Sequence, residues 1–142
     1  MKTKCLSLVV ALGLFASAGT AVADAGHVHG SSAEAKADSL HDKTADELFI
    51  ELEGVVESVT AAVNARELTK LHELTEELSH LATHIAEKVP ADKQSRVTGS
   101  AKNISSLAAS LHGDADKSDQ AGVENHLKKL QGIMIVLKGQ LK

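Results

Sequence analysis

Four stretches of this chain repeat apolar residues at spacings of three and four, which leaves few folds open to it. Such a spacing lays a stripe along one side of an α-helix. The first stretch carries Phe49, Leu52, Val56, Val59 and Val63. The second carries Leu71, Leu74, Leu78, Leu81, Ile85 and Val89, and the third Val97, Ala101, Ile104, Ala108 and Leu111. The fourth carries Val123, Leu127, Leu130, Met134, Leu137 and Leu141. Each stripe is narrow and close to a seven-residue repeat, the seam by which helical bundles pack. The β-branched residues Val55, Val56, Val59, Thr60 and Val63 favour a strand locally, but the spacing and the lack of alternation outweigh them.

Punctuation between the stretches sets the helix ends. Thr44 with Glu47 three residues on matches a capping box. Asn64 is suited to end the first helix in a left-handed conformation, and Thr69 to cap the second. Pro90 opens the third, Gly113 is a natural stop, and Ser118 or Asp119 caps the fourth. The connections are short, roughly four to eight residues, which favours antiparallel neighbours. The expected fold is all-α, an antiparallel up-down-up-down four-helix bundle over residues 45–142.

The residues ahead of the bundle read differently. Lys2 and Lys4, the apolar stretch 5–18 and the small-residue pattern Ala21-Val22-Ala23 make residues 1–23 an export signal. The apolar stretch is shorter than the roughly 20 residues a bilayer span needs, so no membrane insertion is expected after processing. Ala23-Asp24-Ala25 offers a second cleavage point. The bacterial style of the signal places the mature protein in the periplasm. Residues 24–44 are rich in Ala, Ser, Gly, Asp and Lys, with Leu40 and Val28 the large apolar exceptions, and read as a flexible leader.

Composition narrows the function. The chain has net charge −4, and processing would remove two lysines, so a nucleic-acid partner is disfavoured. Cys5, the one cysteine, lies in the signal, so the mature chain has neither disulfide nor thiol chemistry. Trp and Tyr are absent and Phe49 is the mature chain's one aromatic, so the core must be aliphatic and stacking on bases or sugars is ruled out. No serine sits on a nucleophile elbow and no glycine loop cradles phosphate, so no enzyme is expected.

Histidine is where chemistry could reside. His72, Glu76, His80 and His84 recur every four residues, and each step of four turns the helix by about 40°. The row is placed opposite the Leu71/Leu78/Ile85 stripe, facing solvent. His80 and His84, one turn apart, can grip one divalent ion, with Glu76 or Glu77 adding an oxygen. The same row also fits a solvated face that uses histidine. His27 and His29 on the leader form a second imidazole pair, and cleavage after Ala25 would make His27 the second residue, a geometry suited to Cu(II). A polar leader with incidental histidines is the plainer reading. His112 in the last turn of the third helix suits the helix dipole, and His126 reads as a half-buried packing residue. Residues 114–119 resemble the start of a calcium loop but lack its glycine and its closing glutamate.

Two resemblances follow from these residues. The bundle, its size and its export signal look like cytochrome b562-type periplasmic bundles over residues 44–142. That family's haem ligands are a Met on the first helix and a His on the last. Here the first helix has neither, and His126 and Met134 share one helix, so no ligand carries over. The segment Leu71-His72-Glu73-Leu74-Thr75-Glu76-Glu77-Leu78 is similar to a motif in small secreted helical proteins of uncharacterised function. That resemblance extends loosely into residues 113–130 and draws attention to His72 and Thr75 without giving them a role.

The leading expectation is a periplasmic module that binds or buffers a divalent transition metal, copper or zinc, through His27, His29, His72, Glu76, His80 and His84. Its affinity should fall as pH drops through about 6.5, where imidazoles protonate. The alternative is a structural or partner-binding bundle without metal. The nearly all-apolar residues 133–137 could then face a second protomer or another protein, or simply lie deep in the bundle. Binding of b-type haem is a third reading.

Overall fold

The structure, a computed structural model, describes residues 40–142. The expected export signal, and the expected leader with His27 and His29, lie outside the described residues. Four helices follow in order: α1 Ala45–Asn64, α2 Leu71–Lys88, α3 Ala91–Asp116 and α4 Gln120–Leu141. They form an all-α four-helix bundle. Each helix packs on the next, and α4 closes the ring against α1. Contacts between neighbours show the antiparallel run. Glu53, Thr60 and Val63 of α1 meet Lys138, Gln131 and Gln120 of α4 in reverse order. Lys93 and Ser100 near the start of α3 bond Leu141 and Gln140 at the end of α4.

The stripes read from the sequence are the core. Leu52, Val59, Leu71, Leu78, Ile85, Ile104, Leu111, Leu130 and Leu137 are all fully buried or nearly so. Each large aliphatic side chain buried in this way contributes about 1.5–3 kcal/mol. Leu40, just ahead of α1, is also buried and joins the same cluster. Two polar side chains lie in the core, Thr75 and Ser100. Ser100 Oγ donates to Gln140 Oε1 at 2.8 Å, which satisfies it. No helix among the described residues is long and apolar enough to cross a membrane.

Helix ends follow the sequence in part. The capping box at α1 is present. Glu47 N–H donates to Thr44 Oγ1 at 3.3 Å, and Thr44 N–H to Glu47 Oε2 at 2.8 Å. Asp119 rather than Ser118 caps α4, accepting from Gly122 N–H at 3.0 Å. Thr69 does not cap α2. It sits inside a 3-10 turn, Leu68–Lys70, that feeds the helix directly, and Lys70 at the cap position makes no side-chain bond. Asn64 stays helical, and the left-handed residue is Arg66, two places later (φ 58°).

Gly113 does not stop α3, which runs on to Asp116. The stop is made by Ser118 at φ 55°. Its N–H donates to Ala115 O at 2.9 Å, and Asp119 N–H to Asp114 O at 2.9 Å, the paired bonds of a Schellman turn. Arg66 and Glu67 make the same pair with Val63 O and Ala62 O behind α1. Backbone carbonyls that need partners, not glycine, fix both ends. A residue with a Cβ in this conformation is strained by about 1 kcal/mol. Ser118→Gly is therefore expected to stabilise the bundle by roughly 0.5–1 kcal/mol in chemical denaturation, with an unchanged helical spectrum. Arg66→Gly should act alike.

A second expectation concerns pH. The backbone hydrogen bond from Thr44, and secondarily the one from its side chain, holds the Glu47 carboxyl below its ordinary range. A lowered carboxylate gives stability that is complete above the unfolded value and is lost as pH falls through the folded one. Thr44→Ala should cost about 1 kcal/mol at neutral pH. The gap to the natural protein should narrow as acid passes the ordinary glutamate range, measured by urea unfolding at stepped pH.

Candidate metal centre

The extra turn of α3 builds the site. His112 and Asp116 stand one turn apart on α3, and both reach His72 in the first turn of α2. His72 Nδ1 lies 3.3 Å from His112 Nε2. Asp116 Oδ1 is 3.5 Å from His72 Nε2, and Asp116 Oδ2 is 3.7 Å from His112 Nε2. The two rings meet edge to face, with centroids 4.5 Å apart and an interplanar angle of 88°. One ligand atom from each of the three residues falls within 4.8 Å of the others. A tetrahedral ion with ligands at about 2.0–2.1 Å has edges of about 3.3 Å. His72 meets His112 through Nδ1 and Asp116 through Nε2, so the three donors, now within 4.8 Å, would have to draw together to close on one ion.

Thr75 holds the arrangement from below. It is buried, one turn after His72. Its hydroxyl donates to the His72 carbonyl at 3.0 Å. With that proton committed, Oγ1 accepts from His112 Nδ1–H at 3.3 Å. The bond fixes the tautomer of His112 and leaves a lone pair on Nε2, the atom that faces His72 and Asp116. A second partner of this kind orients nearly every metal-binding histidine. His112, His72 and Asp116 are themselves partly open to solvent, so an ion could enter without unfolding the bundle.

The predicted histidine row divides. Its drift of about 40° per step accumulates to about 120° between His72 and His84, over about 18 Å of helix. His72 is consequently on the flank toward α3, half-buried, and not opposite the apolar stripe. Glu76 and His80 are exposed and, with Thr75, Ser79 and His112, line an open groove between α2 and α3. His84, also half-buried, turns to the other flank. Its Nδ1 is 3.0 Å from Glu87 Oε2, and its ring lies 6.2 Å from that of His41. Among the described residues no contact joins His80 to His84. His80 stays at the α2/α3 groove and His84 on the opposite flank, as separate groups.

His112 and Asp116 are the residues that sequence reasoning did not place in the site. The signal was available in their spacing of four on one helix, but it required α3 to continue through Gly113. His126 is engaged elsewhere, with Nδ1 2.7 Å from Asp114 Oδ2. Gly122 leaves room for that carboxylate, since a Cβ there would come within 2.6 Å of it. Met134 is buried in the core.

No family model, curated protein or solved structure matches the chain.

Thr75→Val keeps the volume and removes the hydroxyl that orients His112. Metal affinity is expected to fall about 10–100-fold, the usual effect of losing such a partner. Calorimetric titration of the variant with zinc checks this, and thermal unfolding without metal shows whether the fold is intact.

Proposed function

We propose that the protein binds a divalent transition metal ion, zinc or copper, at His72, His112 and Asp116. The carrying observation is the convergence of two imidazoles and a carboxylate from two helices, with ligand atoms within 4.8 Å of one another. Two nitrogen donors and one oxygen suit zinc and Cu(II) and disfavour magnesium and calcium, which ask for oxygen shells. A structural zinc site is closed by four protein ligands. Three ligands at a surface groove leave a position for water or for a passing donor. That arrangement suits an ion taken up and released, so the reading is of buffering or carriage. Glu76 and His80 line the groove beside the triad and would meet the ion on its way in. In an exported chain, His27 and His29 would supply a further imidazole pair ahead of the bundle, and the periplasm is the expected compartment.

Binding requires neutral imidazoles, so a captured ion displaces protons and uptake weakens in acid. Calorimetric titration of the processed protein with zinc, and separately with copper, is expected to show one site that survives removal of residues 24–39. His112→Ala and His72→Ala should each weaken it at least tenfold, and Asp116→Asn by less. His84→Ala should leave it unchanged. Failure of either ion to bind at neutral pH refutes the reading. A site abolished by His84→Ala but not by His112→Ala moves it to the other flank of α2.

A further inference from the structure

Among the described residues, the exposed large apolar side chains are Ile50 on α1 and Ile135 and Val136 on α4 (66%, 75% and 47% exposed). These helices are neighbours, and Ile50 and Ile135 each stand three residues from the Glu53–Lys138 bridge, so those two fall on one side of the bundle, with Val136 about 100° further round α4. That side is also split by charge. α1 carries five carboxylates and no lysine or arginine, whereas α4 carries Lys128, Lys129 and Lys138 against the single acid Glu124. Within one copy, the salt bridge Glu53–Lys138 at 2.9 Å spans the seam between them. Asp46 and Glu57, four residues before and seven after Ile50, share its side of α1. Lys128, seven before Ile135, shares its side of α4. Asp46, Glu57 and Lys128 make no ion pair among the described residues. Gly132 and Gly139 flank the exposed pair on α4, and a Cβ at either would meet nothing within 4 Å. The packing of one copy does not account for glycine at those two places.

We propose that two copies of the chain associate through the α1/α4 face, laying the acidic α1 of one protomer on the basic α4 of its partner. A two-fold axis parallel to the bundle does this twice at once, since an isologous contact repeats every pairing. The perpendicular two-fold sets α1 against α1 and brings their carboxylates together, which like-charge repulsion disfavours. Ile135 then lies near the middle of the contact and Ile50 about 9 Å nearer one end, with the charges beside them. Two helices of about 30 Å by about 10 Å each offer about 600 Å² per copy, or about 1,200 Å² in total. That is the lower end for a specific interface, so the dimer is weak and depends on concentration. The proposal is independent of the metal site, which lies on the α2/α3 side.

Sedimentation velocity over a wide concentration range tests it on the processed protein. The natural chain is expected to move from monomer to dimer as concentration rises, with less dimer at high salt. Ile135→Asp should weaken association at least about tenfold. Lys128→Glu should weaken it too, and Lys128→Glu with Glu57→Lys should recover part of the loss. All three sites are exposed, and an unchanged helical spectrum confirms that each variant folds. A natural chain that stays monomeric throughout overturns the proposal, and so does an Ile135→Asp chain that dimerises as well as the natural one.

Discussion

Everything in this bundle depends on methyl groups packing against methyl groups. Phe49 is the one aromatic residue in positions 24–142, and the same part of the chain has no cysteine to cross-link it. Leucine, valine, isoleucine and alanine from all four helices meet in one continuous cluster. Side chains of similar size fill such seams well only at a fixed register, because an aliphatic interior is as dense as an organic crystal. The α2/α3 seam illustrates the consequence. Leu71, Leu78 and Ile85 share one buried cluster with Ile104, Ala108 and Leu111, and the register of α2 on α3 determines which polar residues at the rim stand opposite one another. The meeting of His72 with His112 is a by-product of that register.

Thr75 is the point where core and site join. A hydroxyl in an aliphatic interior costs free energy unless it is bonded. Here it is bonded twice, to the His72 carbonyl and to the His112 ring. The same side chain that fills a core position therefore also aims an imidazole of the cluster. A valine would pack as well or better, which makes the threonine hard to explain by stability alone. Exposure of His72, His112 and Asp116 adds the complementary feature, a pre-oriented cluster within reach of solvent.

The fold was largely legible because its signals are local. The stripe at three-four spacing names the helices, and Thr44 with Glu47 marks the start of α1 to the residue. The site was half legible. His72 stood out through its row and its resemblance, and Glu76 and His80 do border the groove. The extrapolation failed where it treated the row as one surface, since a four-residue period slips around a 3.6-residue helix. It failed again at Gly113. Glycine is permissive at a helix end but does not command one, and the carbonyls of Asp114 and Ala115 found better partners further on. Reading α3 as finished at Gly113 removed Asp116 from the helix, and with it the carboxylate one turn beyond His112. Thr75 was invisible as a core residue because the apolar stripe was sought among apolar residues.

The cyclic order of the helices keeps two surfaces apart. α2 and α3 are consecutive and hold the imidazole cluster in their groove. α4 and α1 close the ring on the far side and hold the exposed isoleucines and the divided charge. A bundle closed this way has two long seams facing opposite directions, joined through a rigid core. An ion at one seam adds charge about a bundle's width from the other, where water and salt screen it. Occupancy of the cluster should then leave association unaffected, unless it reorders α3 enough to move its neighbour α4. The contact that could transmit such a change is His126 with Asp114, because Asp114 lies between His112 and Asp116 on α3 while His126 belongs to α4. One short hydrogen bond thus connects the turn that bears His112 and Asp116 to the helix that would carry half of a dimer.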